Sequence, residues 1–147
     1  MSIFSTLDIA ASGMTAQRLR QDVIANNIAN ANTTRTPEGT PFRRHLVVFE
    51  PRPTPRTPQV KSPGLPYDPL PYSGVRVSAV IQDRSDFKLV YDPAHPDADS
   101  NGYVRYPNVD PIVEMVDLIE ASRSYEANLS VFETAKQLVM RTLAMGR

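Results

Sequence analysis

Asp97, Asp99, Asn101 and Gly102 spell D-x-D-x-N-G, the spacing that opens an EF-hand calcium loop. In such a loop, side-chain oxygens converge on the cation from alternate positions, and a bidentate Glu closes the site at the twelfth. Here the twelfth position is Asn108 and the ninth is Arg105, itself a cation. Pro93 and Pro96 stand where an entering helix is required. A turn built on Asx hydrogen bonds explains these residues better than calcium does. Of the two histidines, His45 and His95, neither has a second His at ligand spacing. His95 stands near Asp92 and Asp97, which suits a solvated loop residue rather than a general base. No serine sits in a G-x-S-x-G context, and the six glycines are scattered singly rather than gathered into a phosphate loop. Without cysteine there is no thiolate to act as nucleophile or metal ligand. No catalytic, cofactor-binding or metal-ligating residue is therefore assigned, and the chain is expected not to be an enzyme.

The longest patterned stretch runs from Asp110 to Met145. Asp110 followed by Pro111 is a helix start, an N-cap acceptor and then a residue whose missing N–H costs nothing. Apolar residues then recur at alternating spacings of three and four: Met115, Leu118, Tyr125, Leu129, Phe132, Val139 and Leu143. Ser122 and Lys136 interrupt the series, with Ala121 and Ala135 beside them. Such a seam predicts a coiled-coil helix, about 50 Å long at roughly 1.5 Å per residue. A compact domain of this size would span only about 40 Å, so the molecule is expected to be elongated.

Residues 3 to about 31 carry a second seam, through Ile3, Leu7, Ala10, Met14, Gln17, Gln21, Ile24 and Ile28. Its ends are apolar and its middle polar. Asn30 to Thr34 is the predicted stop, since Asn accepts a left-handed C-cap. Asn26 and Asn27 are poor helix formers inside this segment; they read either as a fraying last turn or as amides bonded to neighbouring helices. One inserted region joins the two seams and returns the chain, which predicts antiparallel pairing.

Between them, Arg44 to Phe49, Gly74 to Gln82, Phe87 to Tyr91 and Gly102 to Tyr106 read as short strands separated by Gly, Asp and Pro turns. Residues 51–71 hold eight of the fourteen prolines, a composition that favours polyproline II over helix or central strand. The predicted fold is mainly α with a small β insertion. Residues 1–34 and 109–147 form a discontinuous coiled-coil hairpin, and 35–108 form a small, irregular β domain with a proline-rich loop at 51–71.

Charge and hydropathy bound the partners. The chain of 147 residues has sixteen charges of each sign and net charge zero, which gives no electrostatic basis for binding nucleic acid or an anionic membrane. No apolar run approaches the ~20 residues of a membrane span. The first basic residue is Arg18, and Asp8, Ser12 and Gln17 break any apolar leader, so no cleaved secretory signal is expected.

Three stretches carry a family resemblance. LDIAASGMTAQRLRQDVIANNIANANTTRT, with its ANNxAN and Asn-Thr turn, resembles the N-terminal signature of bacterial flagellar axial proteins. NVDPIVEMVDLIEASRSYEANLSVFETAKQLVMRTLAM resembles their C-terminal helix around its SRSYEAN core. FRRHLVVFE and FKLVYDPAHPDADSNGYVRYPNVD resemble the proximal-rod branch of that family.

The resemblance implies a structural subunit of the proximal rod of the flagellar basal body, the drive shaft that carries torque across the periplasm. It implies export by the flagellar type III apparatus without signal cleavage. Partners would be further copies of the chain, the rod proteins FlgB and FlgF, the FliE adapter and the distal-rod protein FlgG. The candidate assembly and coiled-coil interface then comprises Ile3, Leu7, Met14, Ile24, Asn26, Asn27, Ile28 and Asn30 from the first helix. From the second it comprises Met115, Leu118, Tyr125, Asn128, Leu129, Phe132, Val139 and Leu143. The competing readings are another rod or hook subunit and, outside the class, a free-standing coiled-coil adaptor.

Overall fold

The computed structural model describes residues 3–53 and 72–145. Helix α1 spans Ile3–Ala29 and helix α2 spans Pro111–Met145. Between them lie strands β1 (His45–Pro53), β2 (Tyr72–Gln82), β3 (Lys88–Tyr91) and β4 (Tyr103–Tyr106). The architecture is mainly α with a small β insertion. Most of the proline-rich stretch, from residue 54 to 71, lies outside the described residues; Pro51 and Pro53 belong to the end of β1.

The two helices run antiparallel. At one end the Asn27 amide reaches Glu114, 3.0 Å away; in the middle Gln21 Nε2 donates to Ser122 Oγ at 3.1 Å. Further along, a Cβ built on Gly13 would sit 2.7 Å from Asn128 Oδ1, so the absence of a side chain there is what lets the backbones approach. Buried positions on α2 include Glu114, Ala121 and Ala135, with Leu118, Tyr125, Asn128, Phe132 and Val139 half-buried. On α1 they are Ala10, Gly13, Ala16, Ile24 and Asn27.

This contact line differs from the predicted seam by one residue in half of its positions. Ala10, Gln17, Ile24, Leu118, Tyr125, Phe132 and Val139 face the partner helix or border it. The alternate positions are Gly13, Asn27, Glu114, Ala121, Asn128 and Ala135, in place of Met14, Ile28, Met115, Ser122, Leu129 and Lys136. Met115, Leu129 and Leu143 are exposed, and Leu7, Met14 and Ile28 half-buried; the side chain of Ile3 lies outside the described residues. The physical reason is size and polarity. Gly and Ala admit close backbone approach, and Asn27 with Glu114 supplies a hydrogen bond that the larger apolar residues cannot make.

The helix ends are set locally. Asp110 Oδ1 accepts the Ile112 amide at 3.0 Å, the N-cap bond its position predicts. At the end of α1 no residue adopts the predicted left-handed conformation; among the described residues only Gly39, Gly74 and Gly102 have positive φ. Instead Ala31 N donates to Ile28 O, and the Asn30 side chain bonds the Asn26 carbonyl at 2.9 Å. A side-chain donor thus satisfies a terminal carbonyl without the left-handed turn.

The strands form two separate two-stranded antiparallel sheets, β1 with β2 and β3 with β4. The first pairs His45 with Gln82 and carries a register shift at Val48/Phe49. It lies along α1, pinned where Ser12 Oγ accepts the Val75 amide at 3.1 Å. Gly74 beside it has φ 98°, and an added Cβ would collide with the Ser12 hydroxyl. The second sheet pairs Tyr91 with Tyr103 at the head of α2, where Lys88 Nζ donates to Val109 O at 3.0 Å.

Candidate functional site

The Asp and His residues of the 92–102 loop serve the backbone. Asp99 Oδ1 accepts the amides of Asn101 (2.8 Å) and Tyr103 (2.9 Å), and Gly102 turns at φ 80°. That is the Asx-bonded turn, and it closes the β3–β4 ribbon. Asp97 points elsewhere, accepting from Thr34 Oγ1 at 2.8 Å with Arg35 at 3.8 Å. His95 Nδ1 accepts the Asp97 amide at 3.1 Å, so its ring is committed as a turn acceptor. The His45 ring lies 5.2 Å from that of Phe42. Among the described residues, no group of three or more His, Asp or Glu side chains is arranged to hold a metal ion.

The most organised polar arrangement is the junction where α1, β1 and α2 meet. Asn27, 1% exposed, uses its whole amide. Oδ1 accepts the His45 N–H at 2.9 Å, while Nδ2 donates to the His45 carbonyl at 2.9 Å and to Glu114 Oε2 at 3.0 Å. In effect a side-chain amide imitates a neighbouring strand and ends the sheet against α1. Glu114 is fully buried, and its other oxygen accepts from Arg44 Nε. The same guanidinium reaches Asp117 at 2.9 Å, and Arg20 approaches Asp117 at 3.6 Å. A buried carboxylate is tolerable only when its oxygens are paired, and here both are.

Nearby, Asn108 Oδ1 accepts the Arg44 amide at 2.9 Å and its Nδ2 reaches Ser85 Oγ at 2.8 Å. The Ser85 amide donates to Asp83 and holds its carboxyl below the usual range, with Arg44 and Arg43 adding to the effect. A cleft of about 250 Å³ opens on the junction between Arg20, Arg44, Glu114 and Asp117. Its carboxylates are held by arginines and it offers no nucleophile. This is a structural joint.

The junction separates the two amides that sequence alone treats together: Asn27 bonds across elements, whereas the side chain of exposed Asn26 accepts from its helix neighbour Asn30. Sequence reasoning gave no role to Arg44 or Glu114. A Glu in the first turn reads as a dipole partner, and nothing in the periodicity marks it as buried.

Opposite the joint the surface is apolar. Ile112 (70% exposed), Val116 (61%) and Ile119 (55%) follow one outer face of α2, and Val131, Leu138, Met140, Leu143 and Met145 extend exposure to its end. Gln21 and Ser122, one residue past the contact line on each helix, are bonded to each other. Met14, Ile28, Met115 and Leu129, which share that offset, therefore lie along the same side of the hairpin. No helix among the described residues is long and apolar enough to cross a membrane.

A family model described as flagella basal body rod protein matches residues 7–35, which is most of α1 with the turn that follows it. Another, described as flagellar basal body rod FlgEFG protein C-terminal, matches residues 100–145, which is β4 and α2. Those two segments are the hairpin, and they define the class as subunits of the flagellar basal-body rod. Along the whole chain the similarity narrows. It is 48% identical over 151 residues to the flagellar basal-body rod protein FlgC of Borreliella burgdorferi, covering 99% of this chain and 98% of that one. The proteins of the same name from Bacillus subtilis and Salmonella typhimurium are 42% and 41% identical, each over all of both chains. The chain belongs to the FlgC family of flagellar basal-body rod proteins. It is a structural subunit of that rod, which it builds together with other rod proteins, and not an enzyme.

Proposed function

We propose that the chain occupies the proximal part of the rod and transmits motor torque across the periplasm. The observation that carries this is the outer face of α2, a 35-residue helix with large apolar side chains open to solvent at both ends. Each such side chain forfeits roughly 1.5–3 kcal/mol of possible burial while exposed. In an open polymer such a face is available to each incoming subunit.

On this reading residues 1–34 and 109–147 form the rod core and 35–108 a middle domain carrying the 51–71 loop. The terminal residues named above, Leu7, Met14, Ile24, Asn26, Asn27, Ile28 and Asn30 with Met115, Leu118, Tyr125, Asn128, Leu129, Phe132, Val139 and Leu143, serve either the hairpin or its neighbours. The side of the hairpin marked by Gln21 and Ser122 belongs to assembly. FlgB, FlgF, FliE and, further out, FlgG are the proposed heterologous partners. The flagellar type III apparatus is the proposed export route. Deletion of the gene tests the reading: cells should lose motility and yield basal bodies without a complete rod. Swimming deletion cells would contradict it.

A further inference from the structure

A groove of about 760 Å³ runs between the outer face of α1 and the β1/β2 hairpin, lined by Thr15, Arg18, Leu19, Arg52, Val75 and Arg76 among others. Its walls are cationic and its base apolar. Among the described residues the partners of Arg52 and Arg76 are exposed, Asp8 at 3.6 Å and Glu50 at 2.9 Å. Among the described residues, Arg18 and Asp22 have no ion-pair partner at all. The outer ridge of α2 is the converse: Arg123, Glu126, Ser130 and Glu133 are exposed, and its charged members are likewise unpaired among the described residues.

We propose that this groove receives the outer ridge of α2 from a second copy of the same chain, side by side in the rod. The inference rests on the rod-subunit reading and adds which surfaces meet. The register argues for it. If the neighbour stands in the same orientation, its α2 runs antiparallel to this α1, as within the hairpin. The intrachain register, which matches Gly13 with Asn128 and Asn27 with Glu114, need advance by only three to four residues, roughly 4.5–6 Å. Arg18 then faces Glu126, Asp22 faces Arg123, Thr15 faces Ser130, and Arg52 reaches toward Glu133. The same shift sets exposed Ala25 and Ala29 against exposed Ile119 and Val116, small against large. Charge and size complementarity agree along one continuous ridge, the helix-in-groove mode of recognition. Groove and ridge are different surfaces of one chain, so the contact is heterologous and each added copy presents the next groove.

The absence of cysteine makes the test direct. In cells lacking the native gene, one copy carrying Thr15→Cys and another carrying Ser130→Cys are expressed together, and basal bodies are treated with a short bis-maleimide. A cross-linked dimer that requires both variants is expected, and neither variant alone should give it. Swimming cells with no such dimer overturn the docking while leaving the rod-subunit reading intact. A second arm uses charge exchange. Arg18→Glu and Glu126→Arg should each lose motility, and the two together should regain it; a double variant no better than either single overturns the proposal.

Discussion

Asn27 shows how one side chain can join three elements. Its amide replaces a strand partner for His45 and anchors Glu114, so truncation strands buried groups on two neighbours. Leaving a buried donor or acceptor unpaired costs about 1–3 kcal/mol. Asn27→Ala should therefore destabilise the protein by about 2–4 kcal/mol in urea unfolding, whereas Asn26→Ala, at an exposed position, should stay within about 0.5 kcal/mol. Equal effects would remove the joint from the account. Such a role is hard to read from sequence. Two adjacent Asn at the end of a helix look alike, and only the position of His45, 18 residues away, distinguishes them.

At the scale of elements, much was legible. Alternating three-and-four spacing located both helices, Asp110–Pro111 located the start of α2, and Val/Ile/Tyr runs located all four strands. The pairing face was not legible, because periodicity measures spacing and not which of two adjacent stripes is buried. Met14, Ile28, Met115 and Leu129 make the more apolar stripe, yet the closer contact uses Gly13, Asn27, Glu114, Ala121 and Asn128. The hydrophobic stripe and the contact line diverge, which leaves Met115 and Leu129 exposed and Met14 and Ile28 half-buried. Stability along α2 should then be uneven. Glu114 and Ala121 are buried near the joint, whereas residues 140–145 are all exposed. In hydrogen exchange on dilute monomer, amides from 114 to 121 should be protected strongly and those from 136 to 145 weakly. Uniform protection along the helix would mean that the far end needs no neighbour.

Over the described residues the molecule is a long hairpin with two small sheets beside it and little interior of its own. Among the described residues the buried apolar ones are mostly alanine and valine, with Ile24 the largest. Large apolar side chains lie mainly outside, an arrangement that costs solubility and stability in isolation and becomes favourable only among neighbours. This is the form expected of a subunit whose stability is completed by assembly. The sequence resemblance named the assembly, and the exposed face of α2 supplies its physical reason. The measurement that bears most directly on this is a density map of intact basal bodies at side-chain resolution. The account predicts the α1–α2 hairpin within the proximal rod wall, with Ile112, Val116 and Ile119 covered by a neighbouring subunit. A proximal rod lacking this chain, or one in which that face of α2 stands open to solvent, would contradict it.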